Sequence, residues 1–86
     1  MKFFVYILKI SDDQYYIGST SNIDRRIKEH KLGNHAGTRY SKLIELLLVQ
    51  EYSSSSLAKK VERKLKSFKS KRIIKKIIND GKIILK

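Results

Sequence analysis

The alternation of apolar and polar residues near the start of the chain predicts a β-hairpin. Residues 3–10 form a run rich in aromatic and β-branched side chains, and residues 15–17 begin a second run of the same kind. Such side chains favour extended backbone. Ser11, Asp12 and Asp13 lie between the runs and supply the polar groups of a tight turn. We therefore expect two antiparallel strands.

The pattern then changes to helical spacing. Residues 18–22 interrupt the strand pattern, and Asn22 is a suitable N-cap residue. Ile23 and Ile27 follow at helical spacing, which predicts one short helix. The next stretch, residues 33–42, predicts a loop.

A third apolar run, residues 43–52, predicts a strand, with a helix as the alternative. The middle of this run is apolar without interruption, which is typical of a strand covered on both faces. We therefore expect it to be the central strand of the sheet.

The C-terminal part predicts two helices. A serine run, residues 53–56, serves as a capping segment for the first helix, and Asn79, Asp80 and Gly81 form a stop signal for the second. The predicted element order is β-β-α-β-α-α. Each helix has an apolar face at helical spacing: Leu57, Val61, Leu65 and Phe68 in the first, and Ile73, Ile74, Ile77 and Ile78 in the second.

Composition predicts one small domain spanning residues 1–86. Of 86 residues, 41% are hydrophobic, which supplies about 35 apolar side chains, enough for a single core. The longest apolar stretch, residues 3–8, is far shorter than the roughly 18 to 20 residues that span a bilayer, and no signal peptide pattern is present. We expect a cytoplasmic protein. The absence of cysteine excludes disulfides, a thiolate nucleophile and cysteine-based zinc sites.

Charge points to a polyanionic partner. Twenty Lys and Arg residues against eight Asp and Glu residues give a formal net charge of +12. Residues 59–86 contain twelve of the basic residues but only two acidic ones, Glu62 and Asp80. Nucleic acid is the first candidate partner. The alternative is a pair of ordinary solvated helix faces.

Tyr6 and Tyr16 are the first candidate functional residues. They lie an even number of residues apart in the hairpin, so a register in which Ile10 faces Tyr16 and Leu8 faces Gly18 would place both phenols on one sheet face. In that register Gly18 would leave room for a ligand beside the two hydroxyls. The alternative is that both are ordinary strand tyrosines.

Arg26 and His30 lie four residues apart beside the apolar stripe of the first helix, whereas Arg25 points away from it. Arg26 is therefore expected to reach over the rim of the core, and Arg25 to be solvated. The alternatives are a snorkelling arginine and a histidine at the core edge.

Glu62 is the sole acidic residue between Tyr52 and Asn79, and it borders the apolar stripe of its helix. It is either half of an i,i+4 ion pair with Lys66 or an oxygen ligand for Mg²⁺, which commonly takes one or two protein carboxylates. Phenols, a guanidinium and a metal-binding carboxylate together are what metal-assisted phosphodiester hydrolysis requires.

These residues occur in an order that resembles the GIY-YIG nuclease superfamily, in its small stand-alone branch related to the nuclease domain of the UvrC excision-repair protein. The resemblance extends from residue 3 to about residue 78. It implies an α/β (α+β) fold, a three-stranded antiparallel sheet flanked by helices with the site on one sheet face. It is carried by Val5-Tyr6-Ile7, Tyr16-Ile17-Gly18, Arg26, His30 and Glu62.

The resemblance also implies roles for these residues. Tyr6 or Tyr16 is the base that orients or deprotonates the attacking water, and a nearby cation would have to favour its phenolate. Arg26 is the phosphate clamp, His30 a supporting contact, and Glu62 the ligand of one Mg²⁺ or Mn²⁺ ion.

The chain departs from the family pattern at three positions. Val5 stands where the first motif has glycine. Ser19 stands where the repair branch has lysine, so Arg39 or Lys42 would have to supply that cationic contact. Asn79 is the candidate for a late asparagine that some members carry.

The sequence therefore predicts a divalent-metal-dependent endonuclease that hydrolyses phosphodiester bonds in DNA, with RNA as the alternative substrate. Because the chain has no room for a separate recognition domain, we expect low intrinsic sequence specificity unless a protein partner provides it. The alternatives are a binding module of the same fold with little catalysis, and a basic structural adaptor. The expected nucleic-acid contacts are Gly18, Ser19, Arg39, Lys42, Lys66, Lys69, Lys71 and Arg72.

Overall fold

A computed structural model describes residues 2–11, 14–33, 45–68 and 70–83. The described elements follow the predicted order and form an α+β fold with a three-stranded antiparallel sheet. Among these residues, no helix is long and apolar enough to cross a membrane. The elements are β1 (Phe3–Ser11), β2 (Gln14–Thr20), α1 (Ile23–Lys31), β3 (Glu45–Tyr52), α2 (Ser55–Ser67) and α3 (Lys71–Asp80).

The central strand of the sheet is β1, so the prediction of β3 as the central strand is wrong. The strand order is β2-β1-β3, and residues 5–8 of β1 are fully buried between their neighbours. In β3, Leu46 and Val49 are exposed. Ile7 pairs with Leu48 and the next residue of β1 pairs with Leu46, which leaves one extra leucine as a β-bulge. Because the bulge adds one residue, the strict alternation of apolar and polar residues is broken there. An edge strand of the described sheet can therefore contain an uninterrupted apolar run.

The register of the hairpin differs from the expected one by two residues. Tyr6 faces Gly18, and Leu8 faces Tyr16. The last pair of the hairpin is Ser11 with Gln14, one residue away from the expected register. An irregularity between Lys9 and Ser11 then shifts the remaining pairs by one more residue. Because side chains alternate with a period of two, an even shift leaves both tyrosines on the same face, as predicted.

The main core lies between one sheet face and the helices α2 and α3. The predicted stripes are confirmed at the buried residues of both helices, but Leu57 and Ile73 are exposed, and Ala58 is buried in the place expected for Leu57. The opposite sheet face carries Tyr6 and is approached by α1. The buried core residues are Val5, Ile7, Ile17 and Leu48 from the sheet, Ala58, Val61 and Leu65 from α2, Ile74 and Ile77 from α3, and Ile83.

Helix caps form where the sequence predicts them. The Asn22 side chain accepts a hydrogen bond of 3.0 Å from the backbone N–H of Arg25, at the start of α1. The Ser54 hydroxyl accepts one of 3.1 Å from the backbone N–H of Leu57, at the start of α2. Gly81 ends α3 with φ of 75°, a left-handed conformation that glycine adopts without a steric penalty.

Substitution of Leu65 by Ala tests which residues of α2 support the core. The Leu65 side chain is 1% exposed and that of Leu57 is 43% exposed. Loss of a buried leucine leaves a cavity, so Leu65→Ala is expected to lower the free energy of unfolding by about 2–5 kcal/mol, and Leu57→Ala by less than about 1 kcal/mol. Denaturant unfolding of the two variants measures the difference. Equal losses would contradict the packing of α2 described above.

Candidate active site

Three aromatic rings form the centre of the candidate site. Tyr6, from the central strand, lies 6.4 Å from Tyr16 between ring centroids. His30, from the last turn of α1, lies edge-on to both rings, at 5.7 Å from Tyr6 and 4.9 Å from Tyr16. The Tyr6 hydroxyl is 2.9 Å from His30 Nε2 in a buried hydrogen bond. His30 therefore contacts Tyr6 directly, and its role as a supporting contact in the site stays a prediction.

Gly18 provides the space for the Tyr6 ring. A Cβ atom on Gly18 would lie 2.5 Å from the Tyr6 hydroxyl oxygen and 2.6 Å from Cζ. The expectation was that this glycine leaves room for a ligand, but Tyr6 itself fills that room. The reason lies in the register, because Tyr6 is the direct cross-strand partner of Gly18 and its ring lies across the glycine.

The two arginines of α1 differ in exposure as predicted. The side chain of Arg26 is 29% exposed and that of Arg25 is 64% exposed. Glu29 was not anticipated as part of this site. Its Oε1 lies 3.6 Å from Arg26 Nε and 3.9 Å from Arg25 Nε. The i,i+3 and i,i+4 spacing is the sequence signal that could have identified it.

Glu62 approaches from the helix on the opposite side of the sheet. Its Oε1 accepts a hydrogen bond from the Ser19 hydroxyl, and its Oε2 lies 2.7 Å from Lys66 Nζ. The ion pair with Lys66 was predicted, but the contact with Ser19 was not. Lys66 also brings its ammonium to 6.0 Å from the Tyr16 ring centroid.

The resemblance implies a site on one sheet face. The described residues of the site instead extend around the edge of β2 and lie on both faces. Gly18 and Ser19 are neighbours in β2 and face opposite sides of the sheet. Gly18 faces the side of the rings, whereas Ser19 pairs with Val5 of the main core and faces α2. Because β2 is an edge strand of the described sheet, charged groups from both sides can meet at its outer edge.

Both phenols are held in the neutral form. Burial raises the pKa of Tyr6 far above its ordinary value of 10.0, the charge of an ionised Tyr16 raises it further, and Arg26 opposes this rise only in part. Burial also raises the pKa of Tyr16, against the lowering effect of Lys66. Among the described residues, Arg26 and Lys66 therefore do not outweigh the effect of burial on the two phenols.

Glu62, in contrast, is held in the charged form. Burial alone would raise the pKa of its carboxyl group, but hydrogen bonds from Lys66 and Ser19, with the charges of Lys66 and Lys59, outweigh burial and lower it. The carboxylate is thus a hard oxygen ligand at neutral pH. Within the described ranges, no group of three or more His, Cys, Asp and Glu residues could hold a metal ion. Glu62 is therefore a single carboxylate donor, and a divalent ion bound there would have to take most of its ligands from water and substrate oxygens.

Five of the eight expected nucleic-acid contacts lie among the described residues, and one of them, Gly18, is covered by the Tyr6 ring. Lys66 and Lys71 line a cavity of about 520 Å³ together with Tyr16. Ser19 lines a second cavity, of about 220 Å³, with Lys59. Arg72 is exposed on α3. Three further residues named from the sequence, Arg39, Lys42 and Lys69, lie outside the described residues, and Asn79 is exposed near the end of α3.

The family model of the GIY-YIG catalytic domain matches residues 2–77. The chain belongs to the GIY-YIG family, a family of nucleases.

Its relatives are small proteins of similar length. A UPF0213 protein of Natronomonas pharaonis is 37% identical over 65 residues, which cover 74% of this chain and 76% of that protein. A UPF0213 protein of Staphylococcus haemolyticus is 34% identical over 79 residues, which cover 88% and 94%. The solution NMR structure of a UPF0213 protein from Bacillus halodurans superimposes with a TM-score of 0.60 at 30% identity, covering 94% of this chain and 87% of that one.

Substitution of Gly18 by Ala tests the packing of the Tyr6 ring. The added methyl group would overlap the phenol, so either the ring or the edge strand must move. We expect Gly18→Ala to destabilise the protein by about 1–3 kcal/mol and to disturb the ring cluster, visible as changed His30 resonances in NMR spectra. Gly81→Ala, at the end of α3, is a control that costs stability without moving those resonances. Unchanged His30 resonances in Gly18→Ala would contradict the contact.

The raised phenol pKa values predict a loss of stability in alkali. The fold favours the neutral form of Tyr6, Tyr16 and Tyr52, so their contribution is complete below pH 10 and is lost as the pH rises above it. We expect the melting temperature to fall as the pH rises from about 10 to about 12, and to fall less steeply in Tyr6→Phe. Melting curves across this range measure the slope. A variant slope as steep as that of the wild type would contradict the assignment to Tyr6.

Proposed function

We propose that this protein is a divalent-metal-dependent endonuclease that hydrolyses phosphodiester bonds in DNA, with RNA as the alternative substrate. The observation that carries the proposal is the meeting of the Tyr6–His30 pair and Tyr16 with Glu62 around one strand edge. Burial alone already raises the pKa of both phenols, so keeping them neutral does not require the ionised carboxylate of Glu62 beside them. Membership of a nuclease family supports the same conclusion.

In this proposal, the two tyrosines have different roles. Hydrolysis requires a water molecule to lose a proton as it attacks phosphorus, and the leaving oxygen to gain one. Tyr6 is fully buried and its hydroxyl is bound to His30, so it serves to fix the position of the ring cluster. Tyr16 is partly exposed and has Lys66 beside it. We assign Tyr16 as the phenol that holds and orients the water.

Arg26 is assigned as the contact to the scissile phosphate. Its guanidinium lies close enough to both tyrosines to oppose the rise of their pKa values, and Glu29 lies beside its Nε. A planar guanidinium with several N–H donors suits the oxygens of a phosphodiester. Bound there, it would stabilise the additional negative charge of the transition state.

Glu62 is assigned as the ligand of one Mg²⁺ or Mn²⁺ ion. Such an ion would stabilise negative charge on the phosphate and the leaving oxygen. Ser19 and Lys66 keep the carboxylate ionised and oriented before any ion arrives. Since Lys66 is bound to one of the two oxygens, an ion must displace it or use the remaining lone pairs.

Substrate binding in this proposal depends on lysine and arginine side chains. Lys66 and Lys71 line the larger cavity, and the net charge of +12 attracts any polyanion. Contacts of this kind go to phosphates and carry little sequence information. The proposal therefore includes low intrinsic sequence specificity, with a protein partner as the means to increase it.

A second candidate function is a nucleic-acid-binding module with little catalysis. The observation that favours it is that both phenols are held neutral and both oxygens of Glu62 are already bonded to Ser19 and Lys66. In such a protein, Glu62 would be a structural ion pair. The two candidates differ in what Glu62→Gln does.

For the nuclease, Glu62→Gln removes the charge but keeps the size and an oxygen that can accept from Ser19. We expect metal-dependent nicking of supercoiled plasmid to fall at least about 100-fold, since a catalytic charge contributes several kcal/mol. Binding in EDTA should be unchanged or slightly tighter, because one negative charge is lost. The assay compares Mg²⁺, Mn²⁺ and EDTA at one salt concentration.

Glu51→Gln is the matched control, because Glu51 is an exposed carboxylate of β3 that pairs only loosely, at 3.7 Å, with Lys2. It should cleave as the wild type does. Tight binding without cleavage by any of the proteins would favour the binding module, and equal cleavage by wild type and Glu62→Gln would remove Glu62 from the mechanism.

A further inference from the structure

The larger cavity lies directly beside the candidate active site. It has a volume of about 520 Å³ and is formed by the start of β2 with α2 and the start of α3. Tyr16 and Lys66 line it and are also part of the site, because Lys66 holds Glu62 at 2.7 Å. A molecule bound in this cavity would therefore contact Lys66, which in turn contacts the proposed metal ligand Glu62.

The walls and the rim of the cavity differ in chemistry. Its walls include the apolar Ile17, Leu65 and Ile74 of the main core, and the polar Gln14 and Ser70 also line it. Its rim carries two ammonium groups, those of Lys66 and Lys71, since both residues are exposed on their helices. An occupant must therefore combine a flat or compact apolar body with negative charge or hydrogen-bond acceptors at its edge.

A nucleotide has this combination. Its base offers two apolar faces and a polar edge, and its phosphate is an anion. The volume falls within the roughly 300–1,000 Å³ of small-molecule sites, and aromatic side chains are the common platform for unpaired bases. Tyr15, which is partly buried against the core, and Tyr16 supply two such rings.

We propose that the cavity is a subsite for one unpaired nucleobase of the substrate strand, next to the phosphodiester bond that is cleaved. This inference rests on the nuclease function proposed above. Tyr15 stacks on or borders the base, and Lys71 neutralises the phosphate of that nucleotide. A base within a continuous duplex stack cannot enter, so a paired strand must first release one base at a cost of a few kcal/mol.

This subsite assigns a function to residues outside the catalytic set. Tyr15 does not belong to the ring cluster around His30, because it is the neighbour of Tyr16 in β2 and faces the other side of the sheet. Lys71 is in the first turn of α3 and lines the same cavity as Tyr16, but it is not among the residues assigned to catalysis. Neither residue has a part in the hydrolysis itself.

The test is a scan of single-stranded oligonucleotides in which one abasic residue is moved along the strand. Binding is measured in EDTA with Glu62→Gln, so that no strand is cut, and the position of cleavage is mapped separately with the wild type and Mg²⁺. We expect the abasic residue to weaken binding about ten-fold at a single position beside the cleaved bond, the usual cost of losing one stacked base. The fluorescent base 2-aminopurine at that position should change its emission on binding.

Three variants identify the cavity as the place where the base binds. In Tyr15→Leu, which keeps an apolar side chain against the core, the abasic penalty should fall to about two-fold or less. Lys71→Met should weaken binding of intact and abasic strands alike and reduce the salt dependence by about one phosphate contact. Lys76→Met is the matched control on the same helix, since Lys76 is highly exposed and does not line the cavity; it should leave the abasic penalty unchanged.

The outcomes separate this inference from the function on which it rests. Normal metal-dependent cleavage together with equal binding of intact and abasic strands at every position would overturn the subsite and leave the nuclease standing. A position-specific penalty that Tyr15→Leu, folded by its melting temperature, retains in full would also overturn it, because the base would then bind elsewhere. Absence of cleavage by the wild type would instead count against the proposed function.

Discussion

The site depends on one close contact, the Tyr6 ring packed across Gly18 at the edge of the sheet. Because Gly18 has no side chain, the phenol of the central strand can lie over β2 and reach His30 of α1 at 2.9 Å. This contact links the central strand, the edge strand and the first helix. It also fixes the ring of Tyr16, which lies two residues along the same face. A larger residue at position 18 would separate the groups that the proposed chemistry needs together.

Around this contact, the pKa values of the phenols and of Glu62 are shifted in opposite directions. Burial holds Tyr6 and Tyr16 neutral, whereas Ser19 and Lys66 keep Glu62 ionised despite its partial burial. The described part of the site therefore contains proton-bearing phenols near the carboxylates of Glu62 and Glu29. In the proposed function, a cation at Glu62 and an anion at Arg26 would bind where Lys66 and Glu29 already partly offset those charges. The same contacts of Glu62 with Ser19 and Lys66 would also suit a nucleic-acid-binding protein without catalysis, in which Glu62 is a structural ion pair.

The sequence predicts the elements well where local patterns decide them. The caps at Asn22 and Ser54 and the stop at Gly81 follow from side-chain chemistry within three or four residues, and all form as predicted. The family membership follows from residues 2–77. The prediction of β3 as the central strand fails because an extra residue in a bulge makes an edge strand resemble a fully buried one. Ala58 is buried and Leu57 is exposed, the reverse of the prediction. Both positions border the same helical stripe, so the packing of α2 against the sheet determines which of the two is buried.

The sequence by itself determined the order of the elements, their caps and the same-face placement of the two tyrosines. These depend on local backbone preference and on the period of two in a strand, which an even shift of register does not alter. The tertiary structure alone decided the strand order, the exact register, the partnership of Ser19 with Glu62 and the position of the site across the β2 edge. Those depend on which distant surfaces bury the most apolar area together, a free energy that no single segment carries.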